Sequence, residues 1–460
     1  MTAIVTTQFR VLNAENFKED VADANSSVYV GIGKADAWSF NTSDITDTTP
    51  FLPEDHTDDL AEAYQNMIGM KRINENDISQ VVPRYTWGAG NSYVPWDSRD
   101  QDIYDKQFYV LTSEFKVYKC IRAGSGASSI QPVQTLTTPQ LESDGYIWKY
   151  MYTLSVADAE KFLTISYMPV KTIPLDFVDD NAAQAALSEA DFAQYLNQKA
   201  SRDSATVKGI ERIIVTDGGT GYTSAPTVTI TGDGTGATAT ATVNNGEIVS
   251  VTVTAKGTNY NIADITFSGG GGQGSGAARA VLAPPSGHGV DPVAELGGFF
   301  TAVNTQLIGN ENGDLVIDND FRQVTLIKNP IEFGTNDIAT APTLRATRFL
   351  EFQSGDITAY QVDEVIVGQT SDARAYIVEI DAQAGRVYYY QNSKTGYKDF
   401  EGSEQVLGQF SNNTAQLKAT DFKGNPEVQR GSGDILFLEN RDPINRTAQQ
   451  IEDIKIIIEF

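Results

Sequence analysis

Hydrophobic positions along this chain recur mostly at a period of two, in short stretches separated by Gly, Asn, Asp and Pro, and that rhythm predicts strands. Ala3 to Phe9 reads as a short strand. In Ser27 to Gly33 (SVYVGIG), Val28, Val30 and Ile32 alternate with Tyr29, and Trp38 closes the segment that follows. Ser79 to Gly88, Gln107 to Thr112, Lys116 to Ile121 and Tyr146 to Leu154 continue the series, and Asn319 to Pro330 (NDFRQVTLIKNP) returns to it. Two more strands end the chain. Ile435 to Leu438 is a continuous apolar run that suits a strand covered on both faces, and Ile454, Ile456, Ile458 and Phe460 share one face of an alternating stretch. A polar turn, Glu439 to Pro443, is expected between them. The partners of these last strands must lie upstream, so the core is expected to close only with the final residues.

Helical spacing is rarer. From Thr57, the residues Leu60, Tyr64, Met67 and Ile68 fall on one face behind Asp58 and Asp59, which suit a helix N-terminus. A second helix is expected from about Ala182 to Lys199, capped by Asp179 or Asp180, with Ala185, Phe192 and Leu196 on one side. A third, shorter one is expected through Leu296, Phe300, Val303 and Leu307. Many short strands with polar turns indicate an all-β sandwich.

From about Thr206 to Leu282 the composition shifts to Gly and Thr, and the stretch repeats. IIVTDGGTGY (Ile213 to Tyr222) matches VTVTAKGTNY (Val251 to Tyr260), and GDGTGATATATV (Gly232 to Val243) matches GGQGSGAARAVL (Gly271 to Leu282). A period of roughly forty residues marks a duplicated β-module, read first as a spacer with tight turns. A sugar or Ca²⁺ site at Gly232, Asp233 and Gly234 is the rival reading, although one acidic residue per turn offers few oxygen ligands. Pro284 and Pro285 close the module. Between about Thr340 and Gly424 lies a second β-rich block, expected to be a small separate barrel, with a hairpin from Ala375 to Gln391 turning near Gly385. Its Tyr388, Tyr389, Tyr390 and Tyr397 could stack on a sugar, but strand tyrosines more often serve core and cross-strand pairs.

A length of 460 residues exceeds what one core usually holds. The 34 basic and 60 acidic residues give a net charge of −26, which repels phosphate backbones and argues against nucleic acid as the main partner. Cys120 stands alone, so no intramolecular disulfide framework is expected and a reducing compartment fits. No apolar run reaches bilayer length, so membrane insertion is not expected, and the chain reads as soluble and non-secreted or released by lysis. His56 and His288 leave little for a zinc site or a His-based triad. Carboxylate pairs such as Asp179 with Asp180, or Asp97 with Asp100, match what a glycosidase needs but are unremarkable in so acidic a chain. The Gly-rich turns lack the Lys-Ser/Thr ending of a phosphate-cradling loop. No catalytic residue, metal ligand or cofactor is assigned, and the chain is expected not to be an enzyme. Residues suited to protein contact stand out instead: Arg84 with Trp87, Phe321 with Arg322, and Asn440 with Arg441 combine aromatic area with planar donors, as interface hot spots do. The plainer reading is that these arginines stitch loops to their own chain.

Six pieces in order, IVTTQFR, YVGIGKADAWS, VVPRYTWG, DGYIWKYMYTL, DFRQVTLIKNP and GDILFLENRDPINR with the final strand, resemble the baseplate wedge subunit family, the gene eight product of T-even-type contractile-tailed phages. The resemblance implies a mainly β, multilayer sandwich with two helix-bearing loops, forming a homodimer that joins other wedge proteins in a virion tail baseplate after assembly in the host cytoplasm. On that reading the core comprises 1–205, 284–339 and 425–460, with the Gly/Thr-rich module at 206–283 and the small barrel-like module at 340–424 as insertions. The rival function, from a different class, is a virion carbohydrate-binding adhesin contacting host glycans through those modules.

Overall fold

The structure, a computed structural model, describes residues 4–38, 47–174, 182, 184, 187–272 and 276–460. The fold is mainly β. The chain divides into two compact units, one of Met1–Glu15, Ser79–Ala302 and Ile457–Phe460, the other of Asn16–Ile78 and Val303–Ile456.

In the first unit the strands Tyr109–Leu111, Lys116–Arg122, Ile147–Thr153 and Gln140–Leu141 form an antiparallel sheet in that order. Aromatic residues occupy both faces because both are covered. Tyr109, Val117 and Tyr152 enter one cluster with Phe108, Val81, Phe162 and Phe299, while Tyr118, Cys120, Trp148 and Tyr150 enter another with Tyr93 and Tyr146. The Gly/Thr stretch of the same unit is a closed barrel of six strands. Their order is Thr227–Gly232, Thr235–Asn244, Glu247–Thr258, Ile210–Asp217, Ala277–Leu282 and Ala263–Ser268, which pairs back to the first. Ile210, Ile213, Ile248, Val251, Ile265 and Ala280 fill the interior, while Thr229, Thr238, Thr240, Thr242, Thr252 and Thr254 face solvent. The duplication has a packing cause: Tyr222 and Tyr260, which end the two matching decapeptides, are both buried in this core. A Cβ at Gly272 would stand 2.6 Å from the Tyr222 ring.

The second unit holds a five-stranded sheet in the order Thr343–Arg345, Met67–Ile73, Val28–Gly33, Asn319–Lys328 and Asp434–Arg446. Its middle strand is buried along its whole length. Beside it in sequence, Arg348–Ser354, Arg386–Tyr390, Arg374–Asp381, Val365–Gly368, Gln405–Gly408 and Thr414–Leu417 pair in succession, and the last pairs back to the first, making a ring around Leu350, Ile366, Ile377, Val387, Val406 and Leu417. This ring carries a duplication that the sequence reading missed: EVIVGQTSDA (Glu364 to Ala373) matches EQVLGQFSNN (Glu404 to Asn413). Each copy clamps the other. The Glu364 carboxylate accepts from the Phe410 and Ser411 amides at 3.0 and 2.9 Å, and the Glu404 carboxylate accepts from those of Thr370 and Ser371 at 3.0 Å each.

Several expected elements are corrected. Thr7 to Phe9 opens a helix, Thr7–Ala22, with the Thr6 hydroxyl accepting from the Phe9 amide at 3.3 Å; its apolar residues form no clean stripe, which hid it. The helix from Thr57 ends at Asn66, because Met67 and Ile68 begin a strand whose sheet partners outweigh helical spacing. Asp179, Asp180 and Ala185 lie outside the described residues; the helix described in that region is Glu189–Asp203, capped by Ser188. The third helix covers only Pro292–Leu296, and Phe300, Val303 and Leu307 lie on the strand Phe300–Ile308. Glu439 to Pro443 is no turn, since one strand runs from Asp434 to Arg446. Pro443 is tolerated there because the strand is a sheet edge, and the register slips where Phe321 opposes Ile444 and Gln323 opposes Asn440. The same edge position leaves Leu436 44% exposed, so the apolar run is not covered on both faces. The final strand, Ile451–Glu459, buries Ile454 and Ile456.

Candidate functional site

Of the six contact candidates, Arg84 and Trp87 lie in the first unit, both half-buried. Arg84 donates to the Thr164 carbonyl at 2.8 Å, and the Trp87 indole donates to the Ser128 hydroxyl at 3.3 Å. The other four lie in the second unit. Phe321 is fully buried and Arg322 nearly so, its guanidinium donating to both Asp47 oxygens at 2.8 and 2.9 Å and to the Ala35 carbonyl. These two hold loops of their own chain. Asn440 accepts from Gln323 at 2.9 Å and donates to the Phe51 carbonyl at 3.1 Å, and the Arg441 carbonyl accepts from the Trp38 indole at 3.0 Å. Both keep side-chain surface open to solvent.

The residues weighed for chemistry are occupied structurally. Asp97 forms a two-pronged pair with Arg279 at 2.9 and 2.5 Å, and Asp100 pairs with Lys106 at 2.6 Å. Asp233 accepts from the Asn261 side chain and amide and from the Ile262 amide, bonds that hold its carboxyl down at about 2 and fill the oxygens a cation would need. His56 caps the helix Thr57–Asn66 by accepting from the Asp59 amide at 3.3 Å. Tyr389 and Tyr390 are buried, and the Arg345 guanidinium lies 3.9 Å above the Tyr388 ring, leaving Tyr397, 57% exposed, as the open one of the four. Among the described residues no three His, Cys, Asp or Glu side chains group to hold a metal, and no helix is long and apolar enough to cross a membrane.

Sequence reasoning missed two buried polar networks. In the first unit Lys119 is fully buried on a strand that otherwise reads as aromatic and apolar; its ammonium lies 3.0 Å from the Glu295 carboxylate and 3.9 Å above the Trp96 ring. The other Glu295 oxygen accepts from the amides of Gly289, Val290 and Asp291 at 2.7 to 3.3 Å. Burial would raise this carboxyl, but Lys119 and His288 outweigh it and hold it at about 2. His288 is buried with its nitrogens 3.7 Å from Glu295 and 3.6 Å from Glu211, and desolvation pulls its pKa down. Glu211 in turn takes two bonds from Lys256 at 2.8 Å. In the second unit Asp36 is ringed by Lys34 and Lys394 at 2.7 Å each, by Asn392 at 3.1 Å and by the Tyr390 hydroxyl. Burial pushes Asp36 up, and the two ammonium groups more than reverse it. A Lys inside an apolar strand, as Lys119, or a Lys and Asp directly after one, as Lys34 and Asp36, is the signal that finds such networks. With the carboxylates of both networks matched by donors among the described residues, they brace loops.

Comparison with known proteins supplies what the geometry does not. A family model described as "Bacteriophage T4, Gp8" matches residues 3–123 and 356–460. The baseplate wedge protein gp8 of Enterobacteria phage T4 is 22% identical over 186 residues, 33% of this chain and 55% of that protein. The chain thus spans about half the length of the curated relative it matches. The matched segments contain strands of both compact units and nearly all of the second ring, whereas the closed Gly/Thr barrel lies in the unmatched stretch between them. Two matched segments in chain order, together just under half of the chain and carrying four of the six resembling pieces, make the chain similar to the phage Gp8 family.

Proposed function

We propose that this chain is a structural subunit of a contractile-tail baseplate wedge, located in the virion tail baseplate and acting through contacts with other wedge proteins and with a second copy of itself. The family match carries the reading. Supporting it, the buried charges of both units are used internally, and the N-terminal segment keeps Ile4, Val5, Phe9 and Leu12 at 49 to 85% exposure, an apolar face of the sort an assembly covers. Arg84, Trp87, Asn440 and Arg441 are the accessible members of the candidate set and are proposed as contact residues, while Phe321 and Arg322 are proposed to shape the loops beside them. Static light scattering at micromolar concentration tests the self-association: a mass twice the 50.0 kDa chain is expected, and a clean monomer would refute it. Labelling of purified virions with an antibody to this chain tests the location, and density anywhere but the baseplate would overturn it.

A further inference from the structure

The first unit contains a cavity of about 690 Å³ floored by the Lys116–Arg122 and Ile147–Thr153 strands and walled by the barrel strands Ile210–Asp217 and Glu247–Thr258. That volume lies within the range of small-molecule sites. Four basic side chains line it, Arg122, Lys149, Arg212 and Lys256, against one carboxylate, Glu211, which Lys256 already neutralises with two 2.8 Å bonds. Of the remaining three cations, only Arg212 has a carboxylate within 4 Å among the described residues. Among the described residues Lys149 donates only to the carbonyls of Thr137 and Ser201, and Arg212 donates to the Ile121 carbonyl. The nearest acid to Arg212, Asp97, stands 3.7 Å off and is held by Arg279, and Arg122 is exposed with no ion pair among the described residues. In a chain of net charge −26, a cavity lined by four basic side chains against one carboxylate is a departure that suits an anionic ligand.

A second observation points the same way. Among the described residues the Arg212 Nε has no hydrogen bond, and the ring nitrogens of His288, 6% exposed and lining the cavity, come no nearer to a partner than 3.6 Å from Glu211 and 3.7 Å from Glu295. Native structures leave few such groups unsatisfied. Burial also pulls the Lys149 ammonium down to about 8, which a bound anion would reverse. Ile121, Ile147 and Val251 add an apolar wall.

We propose that this cavity binds a phosphate-type oxyanion between Arg122, Lys149 and Arg212. The ion arrives either as free phosphate or as the phosphoryl group of a small organic molecule seated on the apolar wall.

Isothermal titration of the full chain with inorganic phosphate, ribose 5-phosphate and ribose tests it. Saturable binding of one or both phosphates at a Kd of about 1 mM or tighter is expected, with none for ribose. Tighter binding of ribose 5-phosphate would identify the organic source, and equal affinities would identify the free ion. Arg122→Ala, at an exposed position, is expected to weaken binding about tenfold, and Arg122→Lys to recover part of it. Absence of binding by both phosphates, equal binding of ribose, or an unchanged affinity in Arg122→Ala would each overturn the proposal.

Discussion

Replacing Glu295 by Gln removes the only carboxylate within ion-pair distance of the fully buried Lys119 ammonium, among the described residues, while keeping nearly the same shape. Breaking a buried pair in this way costs about 3 to 5 kcal/mol, because the remaining charge stays desolvated without compensation. An independent figure comes from protonation. The Glu295 carboxyl is held at about 2, some two units below an ordinary glutamate near 4.3, and one unit corresponds to about 1.4 kcal/mol, so the linkage contributes about 3 kcal/mol. The sign follows from the depressed value. The contribution is complete above the unfolded pKa and is lost as pH falls through the window from about 4.3 to about 2. Urea unfolding followed by tryptophan fluorescence suits the test, since Trp87, Trp96 and Trp148 of the four tryptophans lie in the first unit. At pH 7, Glu295→Gln is expected to lose about 3 kcal/mol, and the double variant Lys119→Met with Glu295→Gln to recover more than half of that loss. On acidification the variant should show a shallower loss of stability than the native chain. A loss under about 1 kcal/mol at pH 7, or superimposable acid profiles, would show that Lys119 is solvated or compensated elsewhere.

Removing Ile454 to Phe460 takes away two fully buried isoleucines, each worth about 1.5 to 3 kcal/mol, and is expected to abolish a cooperative melt; Lys455→Gln should shift stability by less than about 1 kcal/mol. A truncated chain that melts like the native one would make the last strand an accessory. Gly408→Ala places a Cβ 2.7 Å from the Glu364 carboxylate and is expected to cost about 1 to 3 kcal/mol by opening the reciprocal clamp, read as a lowered thermal midpoint and faster amide exchange at Phe410 and Ser411. Deleting Thr206 to Leu282 with a short linker removes Arg279 from Asp97, so the shortened chain is expected to be about 2 kcal/mol more stable with Asp97→Ser than without it; no difference between the two would show that Asp97 finds water instead.

Period-two alternation determined by itself that the chain is mainly β, because residues on a half-buried strand must alternate whatever they pair with. Val28 to Gly33, Asn319 to Lys328 and the final strand were legible for that reason, and so was the Gly/Thr duplication, whose repeated tyrosines each fill one part of a closed core. Similarity to the phage Gp8 family was legible in short pieces, four of which lie in the matched segments and none of which carries chemistry. Only the tertiary structure decided the rest. Met67 and Ile68 have helical spacing, yet their backbone pairs in a sheet, and Pro443 reads as a turn until its strand proves to be an edge where no amide is required. The contact candidates divided in the same way: Phe321 and Arg322 became internal, while Arg84 and Asn440 kept exposed surface, a distinction of burial that residue type does not encode. Lys119 and Glu295 are 176 residues apart, as are no residues that a local pattern can join. Charge pairing between distant strands depends on a three-dimensional approach of a few ångströms, and that approach belongs to the fold.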